Sequence, residues 1–468
     1  MTNGIKCVKI KANMNKNKRK KMTAWQVLAL GYLIVVIIGA VLLRLPIATR
    51  EGESTTFTNA LFTSTSATCV TGLIAYDTNT HWTLFGQLVI LSLIQLGGLG
   101  FMTVVTLIFR IVGKGMGLAQ SKILMLSAGE EKRSELRRLF RRIIFITVGF
   151  ELLGAALLAI RFCPQFGTLK GTYYAVWHSV SAFCNAGFDL MGGIFGGETF
   201  VSLTAYATDP LVSLTIAGLI IVGGLGFCVW DDLFLCKGKW KKIRLHTKVV
   251  LAMTATLLIF SMLLFLVFER DNPDFVSYTV GEKILVAFFN ATTPRTAGFN
   301  TVNYSNMSDA GYLFTLILMF VGGSSGSTAG GVKITTFFVI LMGVIAVFRG
   351  KRDIELGKRR VHNALLRQAL TIFVSCLFIV LTATLVICAV ETHNATATLK
   401  AVLFETFSAM GTVGLSMGLT PTLSAASKYI LMLLMYAGRV GILTIGLAVA
   451  EKKDTAEVKK PVDTLLIG

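Results

Sequence analysis

Four short apolar runs in this chain each end in a glycine set between a small residue and a large apolar one. They are Thr71-Gly72-Leu73, Ala186-Gly187-Phe188, Ala297-Gly298-Phe299 and Val413-Gly414-Leu415. The glycines lie 115, 111 and 116 residues apart. Each run (Phe57–Ala67 is the first) is about half the ~20 residues needed to cross a ~30 Å hydrocarbon core. Runs of spanning length flank every one. A single such tetrad means little. Four at near-equal intervals make the chain one unit used four times about a common axis.

Composition sets the solvent. Of 468 residues, 54% are hydrophobic and 15% charged, with a mean hydropathy of +0.69, which suits a chain surrounded largely by lipid. The formal charge of +20 sits in clusters at Lys16–Lys21, Lys132–Arg142, Lys237–Lys248, Arg349–Arg360 and Lys452–Lys460, between or beyond the units. The opposite connections are acidic, with Glu51, Asp77, Asp189, Asp209 and Glu269 among them. That asymmetry predicts a plasma-membrane protein with both termini and the inter-unit loops in the cytoplasm. No basic patch is interleaved with exposed aromatics, which argues against nucleic acid. The eight cysteines are scattered without a CxxC pair and read as packing residues. The first apolar run is long and reads as a retained span, not a removable signal.

The expected architecture is all-α and integral to the membrane, with eight spanning helices and four re-entrant pore helices. A basic cytoplasmic tail, 1–22, precedes unit 1 (23–128), unit 2 (129–240), unit 3 (241–355) and unit 4 (356–451), and a second tail follows at 452–468. The spans read as Ala24–Leu43 and Trp82–Val112, Ile143–Phe162 and Leu211–Leu235, Val249–Phe268 and Tyr312–Phe348, Leu365–Val390 and Tyr429–Ala450. The short segments read as Phe57–Ala67, Tyr173–Phe183, Val280–Asn290 and Ala397–Met410.

Irregular backbone at membrane depth is tolerated only against protein or water. The four glycine turns should therefore converge on one aqueous path, where main-chain carbonyls replace water around a dehydrated cation. Glycine suits crowded backbone and dihedrals closed to other residues. The expected ion-binding strands are Val70-Thr71-Gly72, Asn185-Ala186-Gly187, Thr296-Ala297-Gly298 and Thr412-Val413-Gly414. Close helix packing is the competing reading for any one glycine, and it explains all four poorly.

A second glycine pattern recurs, as Gly97-Gly98-Leu99-Gly100 and Gly223-Gly224-Leu225-Gly226, altered to Gly438-Arg439-Val440-Gly441. In unit 3 it becomes Gly322-Gly323-Ser324-Ser325-Gly326-Ser327-Thr328-Ala329-Gly330-Gly331, followed by Val332-Lys333. So many small residues disfavour a helix, at ~1 kcal/mol per glycine against alanine. This stretch should be unwound just below the filter, as a gate or as a plain helix break. Arg439, inside the last span, must face water or a partner. It is an inner barrier to cations or a structural pairing with carbonyls or a carboxylate. Lys333 is a similar element or a membrane boundary mark. His178 and Glu405, each nine residues before a filter glycine where unit 1 has Thr63, read as hydrogen-bonded anchors of the pore helices. Asn185 and Asn300 read equally as filter buttresses or as turn residues.

The words Ser66-Ala67-Thr68-Cys69-Val70-Thr71-Gly72-Leu73, Ser181-Ala182-Phe183-Cys184-Asn185-Ala186-Gly187-Phe188, Thr293-Pro294-Arg295-Thr296-Ala297-Gly298-Phe299-Asn300 and Phe404–Leu415, with the fourfold unit, resemble the Trk/Ktr/HKT superfamily of potassium transporters, and its Ktr branch most. The resemblance spans residues 24 to about 450. It implies a homodimer with one pore per protomer, docked on a cytosolic RCK-type (KtrA-like) ring of nucleotide-binding regulatory subunits. That ring would move the 322–331 loop, with Arg439 nearby as a barrier. It implies potassium as cargo, sodium as a candidate activator, no covalent cofactor, and nucleotide held by the partner. In related plant members serine at the first filter glycine goes with sodium, so Gly72 argues for potassium. Cys69 stands where threonine is common and Cys184 where asparagine is; both precede the carbonyl-bearing positions, so little effect on ion choice is expected.

Two other readings stand beside this one. A symporter would couple potassium to sodium or protons at a fixed ratio. An integral-membrane enzyme would need clustered His, Asp or Glu, but His81, His178, His246, His362 and His393 lie far apart without metalloprotease spacing.

Overall fold

The computed structural model describes residues 24–449 apart from 51–52, 101–132, 352 and 357–358. Both terminal tails, the outer parts of the first basic linker and the distal part of the expected Trp82–Val112 span lie outside these residues.

Among the described residues the regular structure is helical but for one short hairpin. Unit 1 contains α1 (Ala24–Leu43), α2 (Phe57–Cys69) and α3 (Leu84–Leu99). Unit 2 contains α4 (Arg133–Phe166), α5 (Thr168–Phe183), α6 (Pro210–Leu225) and α7 (Phe227–Cys236). Unit 3 contains α8 (Leu245–Phe268), α9 (Val280–Thr292), α10 (Asp309–Phe320) and α11 (Ile334–Phe348). An antiparallel hairpin, β1 (Ile354–Leu356) with β2 (Arg359–Val361), leads to unit 4, with α12 (Asn363–Val390), α13 (Leu399–Gly411), α14 (Ala425–Val440) and α15 (Ile442–Val449).

Among the described residues, Arg141–Phe166, Leu245–Phe268 and Asn363–Val390 are long and apolar enough to cross a bilayer, and shorter apolar helices accompany them. The outward faces of α1 and α12 leave Ile34, Ile38, Leu381 and Leu385 exposed, a surface that lipid would cover.

The structure corrects three expectations. The span expected at Leu211–Leu235 is two helices bent by 88° at Gly226, whose φ of +97° ends the helical path. The span expected at Tyr429–Ala450 breaks at Gly441, φ +90°. Helix α4 is already helical at Arg133, the first residue described after 132 and ten before the expected Ile143, because the Glu, Leu and Arg residues of 133–142 are good helix formers with no glycine or proline among them. The expected interruption in unit 3 is present: α10 ends at Phe320 and α11 starts at Ile334.

Hydroxyl and carboxylate caps start the elements that bring the chain to the centre. Thr56, Thr279 and Thr398 cap α2, α9 and α13, and Thr279 closes a capping box with Glu282. At the far end of each long helix a polar tie reaches the following second helix. Glu269, ending α8, accepts from the N–H (3.1 Å) and hydroxyl (2.7 Å) of Ser308, the cap of α10. Glu391, ending α12, does the same for Ser424 N–H (2.9 Å) and Ser427 Oγ (2.6 Å) at the start of α14. Unit 2 reverses the charge, with Arg161 on α4 paired to Asp209, the cap of α6, at 2.7 Å. Unit 1 uses Thr83, which donates to Ile47 O at 2.6 Å.

The apolar cores join neighbouring units. One links units 1 and 2 through Leu43, Trp82, Trp177 and Phe188. Another links units 1 and 4 through Phe62, Leu73, Val380 and Met435, and a third links units 3 and 4 through Phe265, Tyr312, Phe404 and Val413. Helix α6 packs on α9, joining units 2 and 3. The four units thus follow one another around a closed ring.

Candidate ion pathway

The short helices α2, α5, α9 and α13 all end in the same backbone device. Val70, Asn185, Thr296 and Thr412 take left-handed conformations, at φ 57°, 59°, 74° and 51°. Three are β-branched residues in a region they rarely enter. The next N–H folds back on the helix: Thr71 to Ser66 O, Ala186 to Ser181 O and Val413 to Ser408 O, each at 2.8 Å, and Ala297 to Thr293 O at 3.0 Å. This is the capping pattern usually closed by glycine. Here the glycine comes two residues later, and Gly72, Gly187, Gly298 and Gly414 have φ of +94°, +69°, +80° and +90°.

These glycines meet. A β-carbon on Gly72 would stand 2.5 Å from Ala186 O and 3.3 Å from the α-carbons of Gly187 and Gly414. One on Gly187 would meet Ala297 O at 2.7 Å, and one on Gly298 would meet Val413 O at 2.5 Å. On Gly414 it would strike Thr71 O. Each glycine packs against the strand of the next unit, and the fourth closes on the first. No side chain fits at any of the four positions, so the crowding, not turn geometry alone, demands glycine there.

Polar bonds brace each strand from behind, with different chemistry in each unit. His178 Nδ1 lies 2.7 Å from Tyr174 O and its Nε2 accepts from Leu190 N–H at 3.4 Å, while Trp177 Nε1 donates to Phe188 O at 3.2 Å. Glu405 accepts from the Ser416 hydroxyl and from Thr420 Oγ1 at 2.8 Å. Both residues anchor the returning chain as expected. Unit 3, with Phe289 at that position, uses Asn290, bonded to Tyr304 Oη (2.9 Å) and Thr301 Oγ1 (3.2 Å). Unit 1 leaves the Thr63 hydroxyl without a hydrogen bond among the described residues and uses Asn59, which donates to Tyr76 Oη at 2.8 Å. In the amide orientation that satisfies all its neighbours, Asn185 donates to Ala182 O (3.1 Å) and Ile220 O (3.2 Å) and accepts from Thr296 Oγ1 (3.3 Å), crossing between units. Asn300 makes turn bonds instead, its amide donating to Val302 O at 3.4 Å.

The segment Gly322–Gly331 lies against the carboxyl ends of these helices. Thr328 Oγ1 donates to Phe183 O at 3.3 Å, a β-carbon on Gly322 would meet the Thr296 methyl at 3.3 Å, and one on Gly331 would meet Gly411 O at 3.1 Å. Its N–H groups tie it to the broken helix of unit 2: Ser324 to Gly224 O at 3.0 Å and Thr328 to Gly223 O at 3.4 Å. Phe227 N–H donates to Gly326 O at 2.9 Å in return, Ser325 Oγ lies 3.1 Å from Thr335 Oγ1, and Ser327 caps Ala329 N–H. Gly322, Gly323 and Gly330 are tight points, since a β-carbon there would strike Gly330 O, Ala329 and Thr412 respectively. Lys333 Nζ donates to Ala329 O at 2.8 Å and closes the segment on itself. Arg439 reaches in from unit 4 and donates to Thr328 O and Gly97 O, with Gly98 O at 3.5 Å. Of the two pairings expected for Arg439, the carbonyl one is present.

Several polar residues near this centre escaped the sequence reading. Gln95 Nε2 donates to both oxygens of the buried Glu151 carboxylate, at 2.9 and 3.2 Å, and Cys184 Sγ lies 3.4 Å from Gln95 Oε1. Ser66 and Ser408 hydroxyls accept from the N–H groups of Gly72 (3.1 Å) and Gly414 (3.0 Å). A usable signal existed for the last pair: Ser66, Ser181, Thr292 and Ser408 each precede their glycine by six residues. No cluster of three or more metal-ligating side chains occurs among the described residues.

The family model described as TrkH, cation transport protein, matches residues 5–459. The chain belongs to the TrkH cation transport family. The potassium/sodium uptake protein NtpJ of Enterococcus hirae is 42% identical to it, over 97% of this chain and 99% of that one. The Ktr system potassium uptake protein B of Bacillus subtilis is 40% identical over 96% and 97%. The crystal structure of the potassium transporter TrkH from Vibrio parahaemolyticus shares the fold, with a TM-score of 0.68 at 18% identity, over 93% of this chain and 86% of that one. TrkH family members are membrane transporters, which sets aside the enzyme reading for this chain.

Proposed function

We propose that this TrkH family chain conducts potassium across the plasma membrane through a pore whose filter is the ring of Gly72, Gly187, Gly298 and Gly414 with the two residues before each. The observation that carries this reading is the closure of the ring: four strands from distant parts of the chain lean on one another's carbonyl oxygens. Such a ring can replace the hydration shell of an alkali ion without any acidic side chain. The short helices, as re-entrant pore helices, direct their carboxyl ends and partial negative charge towards the same point. The Thr71 and Thr412 hydroxyls, buried without a protein partner among the described residues, would face the same path. Named relatives handle potassium, and the Enterococcus hirae protein also sodium.

Segment 322–331 is proposed as the gate. It touches the inner ends of three filter strands or pore helices, and Arg439 links it to unit 1. A cytosolic nucleotide-binding ring would move it, in keeping with relatives named as parts of a Ktr system, and the working assembly would be a homodimer. The basic clusters place the linkers and both tails on the cytoplasmic side.

The test is uptake in a potassium-starved bacterium lacking its own uptake systems. The intact chain restores growth, with currents reversing at the potassium equilibrium potential. Gly72→Ser admits sodium. Unaltered potassium selectivity in that variant would refute the filter, and a fixed ion-coupling ratio would favour the symporter.

A further inference from the structure

Beyond the bond from Phe227 to Gly326 O, helix α7 and the turn after it have no part in the pathway described so far. The helix leaves α6 at 88°, so where α6 crosses the membrane, α7 lies along its surface. Its inner side is fixed. Val229 belongs to one buried apolar cluster with Leu225, Val250 of α8 and Ile334, the first residue of α11. Trp230 Nε1 donates to Val222 O at 3.0 Å and holds the bend. Both acids of the helix are turned inward and engaged: Asp231 pairs with Arg142, and the buried Asp232 accepts from Arg244 N–H at 2.9 Å.

Among the described residues the outer side is not covered in this way, though Phe234 meets the Trp230 ring. Phe234 and Trp240 are each 58% exposed and Leu235 is 50% exposed. Around them stand the exposed Lys237, Lys239, Lys241 and Lys242, and Lys248 Nζ lies over the Trp240 ring at 5.9 Å. With the acids spent internally, this face is purely cationic and aromatic. A surface helix with apolar side chains at membrane depth and lysines beside them is built for the headgroup region. Tryptophan belongs at that same level.

We propose that α7 and residues 237–244 form a binding site for anionic phospholipid headgroups of the inner leaflet, and that its occupancy acts on segment 322–331. The second half follows from two observations. The first residue of α7 bonds Gly326 O, and Val229 shares one buried cluster with Ile334, so the helix bears on the segment in its middle and at its exit. A lipid that shifts α7 must shift what it holds. The sidedness rests on the cytoplasmic placement proposed above.

The experiment uses the full chain, reconstituted in vesicles of phosphatidylcholine alone or with one third phosphatidylglycerol. Brominated acyl chains on one lipid or the other report contact by quenching tryptophan, and Trp240→Phe isolates the signal of that residue. Brominated phosphatidylglycerol should quench Trp240 more than brominated phosphatidylcholine does. The variant Lys239→Gln/Lys241→Gln/Lys242→Gln should lose that preference, each missing cation weakening binding about fivefold. Potassium flux in the wild type should differ severalfold between the two vesicle types and be insensitive to lipid in the variant. Equal quenching by both lipids, a preference unchanged in the variant, or no quenching at all (as when a second copy of the chain covers the face) would overturn the site. Preference with identical flux in both vesicles would overturn the link to the segment. Absence of flux everywhere would count against the pore, while the quenching would still decide the lipid site.

Discussion

The Arg439 guanidinium donates to the main-chain oxygen of Thr328, joining the last unit of the chain to the middle of the unwound segment. The same side chain holds Gly97 O, so one residue ties three units together beneath the glycine ring. Charge-assisted bonds of this kind contribute ~1.5–3 kcal/mol each. Arg439→Ala should therefore shift the segment towards release by about 2 kcal/mol and raise potassium flux roughly tenfold or more. Arg439→Lys keeps the charge but loses the fork, and should fall between. Flux at the wild-type level in the alanine variant would show that the latch does not limit conduction.

Glu405 braces the fourth strand through two hydroxyls inside a fully enclosed site. Glu405→Ala strands both donors and opens a cavity, at a cost of about 3 kcal/mol. Glu405→Gln keeps an acceptor and should lose less. Thermal unfolding of the purified protein in detergent ranks the two, and equal melting temperatures would remove Glu405 from the brace.

Gln95 and Glu151 come from different units and satisfy each other in a buried place. Removing one leaves the other unpaired; removing both does not. Gln95→Leu and Glu151→Leu should each destabilise by about 2 kcal/mol. The double variant should cost clearly less than their sum, with a coupling of ~1 kcal/mol or more. Additive losses would mean that the two side chains do not depend on each other.

At the carboxyl end of α12, burial tends to raise the pKa of Glu391, but bonds from Ser424, Ser427 and Asn394 outweigh it and hold the carboxyl down at about 2. A depressed pKa means that the unfolded chain takes up the proton first. The stabilisation is complete above ~4.3, the ordinary glutamate value, and is lost as pH falls from there through about 2. Glu391→Gln should lower stability at neutral pH and flatten its decline over that acid window. Parallel wild-type and variant curves below pH 4 would disprove the tie.

The carboxyl ends of the short helices were readable to within about two residues, because a small residue, a glycine and a bulky apolar one punctuate each run, whereas α5 starts five residues before the expected Tyr173. His178 and Glu405 were readable as anchors from their shared offset. The breaks at Gly226 and Gly441 were not, since a glycine inside an apolar run looks the same whether it packs a helix or ends one. Only the positive φ tells them apart. Glu151 was missed because its partner is 56 residues away on another helix. Asn290 was missed because unit 3 moved its brace one position along the helix, out of the register that the other units suggest. The family resemblance fixed which glycines to compare but carried no information on these local substitutions.

The glycine ring also bears on how the molecule is made. Gly72 rests on Gly414 as well as on unit 2, so the earliest strand to leave the ribosome waits for nearly the last before its second side is covered. Until then the ring stands open on that side. Truncation after any of the first three units should yield a chain for the quality-control proteases, and not a smaller pore.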